Sequence, residues 1–182
     1  VNAADYTVFR DGMAAANSFA LSQTAPDNDN LFGEGGNDTL FGTDGVNRLD
    51  GGADNDILYG LGGDDLLVIG DGFDTATGGL GEDRFKVTVI DSQTDVIRDF
   101  DATPFSGDVL DISDVVDLTT FDNIFNYLYV LPQGDTVELY YDETGGGFQD
   151  PAGYTPFVIL ENMTQELPAL NDLVFNGNLV AY

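Results

Sequence analysis

The sequence predicts a mainly β protein built as a flattened solenoid, and three observations predict it. First, residues 24–86 divide without remainder into seven nine-residue units: TAPDNDNLF, GEGGNDTLF, GTDGVNRLD, GGADNDILY, GLGGDDLLV, IGDGFDTAT and GGLGEDRFK. Repetition at a short fixed period marks an architecture of stacked, equivalent turns. Second, position six of the units reads Asp29, Asp38, Asn47, Asp56, Asp65, Asp74 and Asp83, while position eight reads Leu31, Leu40, Leu49, Leu58, Leu67, Ala76 and Phe85. Third, glycines such as Gly33, Gly36, Gly42, Gly45, Gly60 and Gly63 gather at the front of the units, where their freedom at positive φ permits tight turning.

Each unit is therefore a turn followed by a very short strand. Its last three residues alternate outward, inward, outward, so that position eight faces the core. Two units make one coil, and units two apart stack on the same side with their Asp residues adjacent. Paired carboxylates with converging backbone carbonyls form a hard, all-oxygen cage suited to calcium. A Gly/Asp/Asn-rich run without phase would read as an acidic linker. Leu at one phase in five successive units argues for the solenoid.

Composition narrows the function. Thirty-three acidic residues against five basic ones give a net charge of −28 over 182 residues, which repels nucleic acid and anionic membrane surfaces and concentrates cations. The chain has no Cys and no His, which removes disulfides, most zinc sites and all thiol- or His-based catalysis. It also lacks a G-x-S-x-G nucleophile motif, and carboxylate pairs in so acidic a chain are not specific to a glycosidase, so no enzyme is expected. No apolar run approaches the length of a membrane span, and no basic-then-apolar leader opens the chain. Its first residue is Val1, and the expectation is a fragment of a larger protein.

The spacing G-G-x-G-x-D-x-U-x of these units resembles the calcium-binding nonapeptide of RTX proteins. GGLGEDRFK matches at every position, with GEGGNDTLF and GLGGDDLLV close to it. The resemblance implies a parallel β-roll, a calcium-binding solenoid. It also implies ligands residue by residue: carbonyls of positions two and four plus the Asp of one unit, and carbonyls of positions one and three plus the Asp of the unit two further on. On one flank this names Glu34, Gly36, Asp38 with Gly51, Ala53, Asp56, and then Gly52, Asp54, Asp56 with Ile69, Asp71, Asp74. On the other it names Ala25, Asp27, Asp29 with Gly42, Asp44, Asn47, then Thr43, Gly45, Asn47 with Gly60, Gly62, Asp65, then Leu61, Gly63, Asp65 with Gly78, Leu80, Asp83. That makes five Ca2+ ions in the roll, with more at its end. Asn47 replaces a carboxylate by a neutral amide, so the two sites sharing it are expected to be weaker or partly empty. Asp27 and Asp54 stand where Gly is usual, and an Asp tolerates the left-handed conformation at modest cost. Ala76 and the irregular start of IGDGFDTAT point to a roll that narrows before its last unit.

The remaining regions follow in order. Residues 1–23, with Tyr6, Val8, Phe9 and an Ala-rich segment able to form a turn of helix, are expected to cap the open first coil. Residues 87–115 hold DVIRDFDATPFSGDVLDIS, which resembles the segment that closes the roll in RTX proteins. That resemblance implies calcium at Asp95, Asp108 and Asp91, whereas Asp99 and Asp111 read as turn or cap residues. Residues 116–182 form a C-terminal β-rich cap: YLYVL, TVELYYD and PFVILE read as strands, a turn falls at Pro132-Gln133-Gly134-Asp135, a loop runs through GGGFQDPAGYTP, and a short helix runs from about Pro168 to Phe175.

TVELYYDETGGG, FVILENMT and LNDLVFNGNLVAY look like the C-terminal target region of type I-secreted bacterial adhesins and related RTX proteins. The resemblance implies an export signal read by an ABC transporter with its adaptor and outer-membrane channel, an extracellular or cell-surface location, a role in adhesion and biofilm, and a monomer that folds on meeting calcium. Two alternatives are a calcium-stabilised ligand-binding roll and the C-terminal module of a secreted hydrolase. Against an ice-binding face, position seven runs Asn30, Thr39, Arg48, Ile57, Leu66, Thr75, Arg84 without regularity.

Overall fold

The computed structural model describes residues 7–8, 17–20, 28–103, 107–115, 128–142, 154–162 and 179–180. All of its regular structure is strand: β1 (Thr7–Val8), β2 (Asn17–Ala20), β3 (Asn30–Phe32), β4 (Asp38–Phe41), β5 (Arg48–Asp50), β6 (Ile57–Gly62), β7 (Leu66–Ile69), β8 (Thr75–Leu80), β9 (Arg84–Val87), β10 (Asp95–Ile97), β11 (Val109–Asp111), β12 (Leu128–Gln133), β13 (Thr136–Tyr141), β14 (Val158–Leu160) and β15 (Leu179–Val180). The helix expected over 168–175 lies outside the described residues, as does most of the 145–156 loop.

Successive strands alternate between two sheets, which is what a two-unit coil requires. One sheet runs β1-β3-β5-β7-β9-β11-β15 and the other β12-β13-β14-β10-β8-β6-β4-β2. Within the repeats all pairing is parallel and in phase, as in Leu31↔Leu49, Leu40↔Leu58, Leu49↔Leu67 and Leu67↔Phe85. Side chains of period two then place every eighth-position residue between the sheets, and Leu31, Leu40, Leu49, Leu58, Leu67, Ala76 and Phe85 are all buried in one cluster. The fold is a parallel β-roll.

The roll does not stop where the nine-residue phase stops. Val96 and Ile97 of β10 pair with Thr75 and Ala76, and Val109 and Leu110 of β11 pair with Arg84 and Phe85. Ile97 and Leu110 thereby occupy further eighth-position places in the core. β8, which holds Ala76, pairs on both sides, with β6 and with β10, and Phe100 lies 6.0 Å from Phe85, ring to ring. Farther along, Leu179 pairs beside Leu110, while β14 joins β10 in parallel and β13 antiparallel. Thus β14 is the strand at which the roll becomes an antiparallel meander. The β12–β13 hairpin turns at Gly134-Asp135, tighter than the four-residue turn expected, with Gly134 at φ 71, a conformation that suits a two-residue hairpin.

At the opposite end β1 and β2 pair with β3 and β4. Asn17–Ala20, at the end of the segment in which a helical turn was expected, is extended instead. Because alternate units go to different sheets, position seven forms two rows: Asn30, Arg48, Leu66, Arg84 and, separately, Thr39, Ile57, Thr75, Val96. Arg recurs in the first row and Thr in the second, each at every other place, but neither row is uniform. Arg48 and Arg84 pair with Asp50 and Asp111, and Lys86 with Asp114.

Candidate metal centre

Glycine at position one, present in five of the seven units, lets the turn bring its sixth-position side chain back against its own backbone. A Cβ added at Gly51, Gly60 or Gly78 would lie 2.6, 2.3 or 2.2 Å from Oδ2 of Asp56, Asp65 or Asp83, respectively. A side chain at any of the three would have to displace that carboxylate. Positions two and four supply the left-handed geometry: Glu34 (φ 68), Gly36 (95), Gly52 (99), Asp54 (73), Leu61 (80) and Gly63 (100) all adopt it. Asp54 does so as the sequence leads one to expect.

The sixth-position side chains form two continuous columns. In one, the backbone N–H of Asp38 donates to Oδ1 of Asp56, Asp56 to Asp74 and Asp74 to Asp95, at 2.8, 2.8 and 3.0 Å. In the other, Asp29 donates to Asn47, Asn47 to Asp65, Asp65 to Asp83 and Asp83 to Asp108, at 3.1, 2.7, 2.9 and 2.8 Å. Asp95 and Asp108 therefore end the columns, at the place in the turn that the repeats give to their sixth residue. Within each column Oδ1 is spent on the backbone of the coil before. Oδ2 of Asp56, Asp65 and Asp83 is buried and has no hydrogen-bond partner.

A buried carboxylate oxygen without a donor is costly, because desolvation is uncompensated. Burial, with neighbouring carboxylates adding to it, pushes Asp56 and Asp65 up to about 7 and Asp74 and Asp83 up to about 6. The same causes raise Asp95 to about 8 and Asp108 to about 7. A cation would relieve this. The donor set consists of hard oxygens, carboxylate and backbone carbonyl, which is the chemistry of calcium. Among the described residues no three acidic side chains converge as a metal cluster, so an ion in the roll would be held largely by backbone carbonyls with two side chains. The residues present fit calcium.

The other residues named from the sequence are placed as follows. Carbonyls of Glu34, Thr43 and Gly52 each accept one backbone N–H, from Ala53, Gly62 and Asp71. The Ile69 carbonyl is different: it accepts both the backbone N–H and the hydroxyl of Thr88, which occupies its two lone pairs. Oδ2 of Asp91 accepts from Gly72 N–H, and a hydrogen bond between Asp91 and Asp71 raises the Asp71 carboxyl. Asp99 accepts from the N–H groups of Gly78 and Gly79, some twenty residues earlier, rather than capping its own turn, and Asp111, the last residue of β11, accepts from the Ser113 N–H and from Arg84. Ala25 and Asp27 lie outside the described residues.

Position five carries a second ladder that the sequence reading passed over. Asn28, Asn37, Asn55 and Asp64 accept, through Oδ1, the backbone N–H of Val46, Asn55, Phe73 and Glu82, each eighteen residues on. The signal was Asn or Asp at position five of four units. Asp101 was missed too; its N–H donates to Oδ2 of Asp108.

Two expected results follow from this geometry. Gly60→Ala places a methyl 2.3 Å from Asp65 Oδ2 and 2.5 Å from the Gly78 carbonyl, and overpacking of this kind costs about 1–3 kcal/mol. A lowered denaturation midpoint in calcium checks it; an unchanged midpoint contradicts it. The second concerns pH without metal. Folding raises these carboxyls above the unfolded value of 3.8, so the ion-free folded state binds more protons than the unfolded chain. Its stability is then greatest below about pH 4 and is lost as the pH rises through about 6–8. Denaturation in chelator should give a higher midpoint at pH 5 than at pH 8. In calcium the order should reverse, since protons compete for the ligands.

Comparison with known proteins adds to this geometry. The family model for the RTX calcium-binding nonapeptide repeat matches residues 25–46, 41–76 and 59–86. The chain is similar, at 29% identity and a TM-score of 0.54, to the solution structure of the AlgE6R3 subunit from the Azotobacter vinelandii mannuronan C5-epimerase, over 79% of this chain and 77% of that one. No curated protein matches significantly.

Proposed function

We propose that this chain, whose residues 25–86 are an RTX calcium-binding nonapeptide-repeat domain, is a non-enzymatic module of a secreted protein that folds when it meets extracellular calcium. The observation that carries the reading is the pair of buried acid columns, with partnerless oxygens at Asp56, Asp65 and Asp83 inside glycine cradles. Without cations these columns oppose compaction; with them they cross-link one coil to the next. If extracellular-type sites dissociate at about 10⁻⁴ M, calcium near 10⁻² M contributes about 2.7 kcal/mol per site, while cytosolic levels contribute almost nothing. Several such contributions match a typical domain stability of about 5–15 kcal/mol. Calorimetric titration with calcium at pH 7.5 tests it: saturable binding accompanied by folding is expected, and no binding refutes it.

The further reading is export and adhesion. The C-terminal strands that continue the roll belong to the segment resembling type I target regions, and among the described residues no helix is long and apolar enough to cross a membrane. In this reading an ABC transporter, adaptor and outer-membrane channel pass the chain unfolded, and calcium folds it outside as a monomer on a large adhesin. Deleting residues 116–182 should abolish export; export of the truncated chain refutes it.

A second reading is favoured by the similar structure, which is a subunit of an enzyme. Here the roll would accompany a catalytic domain elsewhere in its parent. Mannuronan is a polyanion, and a net charge of −28 disfavours the same polymer as a ligand here unless calcium intervenes.

A further inference from the structure

We propose that the side-chain amide of Asn47 takes the cation's place in the rung that links GTDGVNRLD to GLGGDDLLV, so that this rung closes without calcium. The proposal rests on the calcium reading of the neighbouring rungs. The oxygens assigned to this rung are those of Thr43, Gly45, Asn47, Gly60, Gly62 and Asp65. Asn47 Nδ2 donates to three of these residues: to the Gly45 carbonyl at 2.5 Å, the Thr43 carbonyl at 3.3 Å and Asp65 Oδ1 at 3.2 Å. A calcium ion would sit about 2.3–2.6 Å from the same oxygens, and the nitrogen and the ion cannot share that space.

The orientation of the amide is set by its surroundings. Its oxygen accepts from the Asp29 N–H at 3.1 Å and the Thr43 hydroxyl at 3.3 Å, while its nitrogen faces three acceptors. Turning the amide over would set oxygen against three oxygens and nitrogen against two donors.

Comparison within the roll sharpens the point. The Asn47 nitrogen lies 3.1 Å from where a Cβ on Gly42 would be, in the cradle that holds Oδ2 of Asp56 against Gly51, Asp65 against Gly60 and Asp83 against Gly78. In those three turns the cradled atom is a buried oxygen with no partner. At Asn47 it is an NH2 group whose two hydrogens are shared among three oxygens. One atom exchanged for another, oxygen for N–H, thus converts a position that calls for a cation into one that is already satisfied. Two of these bonds brace the turn of Asn47 itself and the third, to Asp65, joins it to the next coil, a link that no ion has to supply once the adjoining turns close on calcium.

Calcium alone is the probe, counted on the full chain by native mass spectrometry and calorimetry for the wild type, Asn47→Asp and Asn47→Ala. Asn47→Asp restores an oxygen in the cradle and should bind at least one more ion than the wild type, with a steeper rise in melting temperature as calcium is raised from limiting to saturating. Asn47→Ala removes the donor without adding charge. It should bind no additional ion and melt lower than the wild type both in calcium at pH 7.5 and in chelator at pH 5, where protons hold part of the fold together. Equal ion counts for Asn47→Asp and wild type overturn the proposal while leaving the calcium reading intact. So does a wild-type crystal with calcium on the Thr43 and Gly45 carbonyls, or failure of Asn47→Asp to fold at saturating calcium, since the ion could then not replace the amide. If none of the three proteins binds calcium, the calcium reading itself falls and takes the proposal with it.

Discussion

Transfer of the folded protein into chelator at pH 8 is expected to abolish most of its β circular-dichroism signal, and return to millimolar calcium is expected to restore it. The physical reason lies in the two columns. Asp56, Asp65, Asp74, Asp83, Asp95 and Asp108 are all buried, and six carboxylates ionised together at that depth have few donors besides the backbone N–H groups they already use. Each must either hold a proton, which pH 8 disfavours, or face a cation. Loss of several binding contributions of about 2.7 kcal/mol each exceeds what a marginally stable domain retains. The acid side offers a control: at pH 5 in chelator, protons stand in for part of the cation charge and some folded signal should return. An unchanged spectrum in chelator at pH 8 would contradict this.

The next-largest effect is expected at Leu58→Ala. Leu58 is fully buried, and its register neighbours in the sheet are Leu40 on one side and Ala76 on the other. Truncation beside an existing alanine leaves two adjacent small side chains in the core row, and parallel strands locked on both sides by ladder hydrogen bonds cannot collapse to fill the gap. Burial losses of this type cost about 2–5 kcal/mol. Denaturant unfolding at saturating calcium measures it, so that stability is read apart from ion affinity. Leu80→Ala is the matched control, because Leu80 is 79% exposed and surface substitutions usually change stability by less than about 0.5 kcal/mol. Equal effects for the two would mean that the eighth-position leucines are not the core.

These predictions depend on features that differ in how plainly the chain displays them. Phase was the legible part. Because a coil is two units and a unit nine residues, a fixed carboxylate and a fixed apolar residue can occupy only one structural place each, and Asp56 with Leu58 follow from counting alone. The closing motif added Asp95 and Asp108 by resemblance, although their separations from Asp74 and Asp83, at 21 and 25 residues, break the period that would have revealed them by spacing. The Asn ladder at position five escaped because Asn in a glycine-rich turn already has a local explanation as a turn former.

What the sequence by itself determined is the parallel β-roll, its core row and its acid columns, since a strict repeat leaves one way to stack equivalent turns. What only the tertiary structure decided are the contacts made across coils and at the ends. Ile69, a ligand by position, spends its carbonyl on Thr88; β14 and β15 extend the two sheets from far along the chain; and Asn47 turns its nitrogen toward three oxygens. Each of these depends on where a donor lies in space relative to an acceptor, and residue order carries no direction for a hydrogen bond.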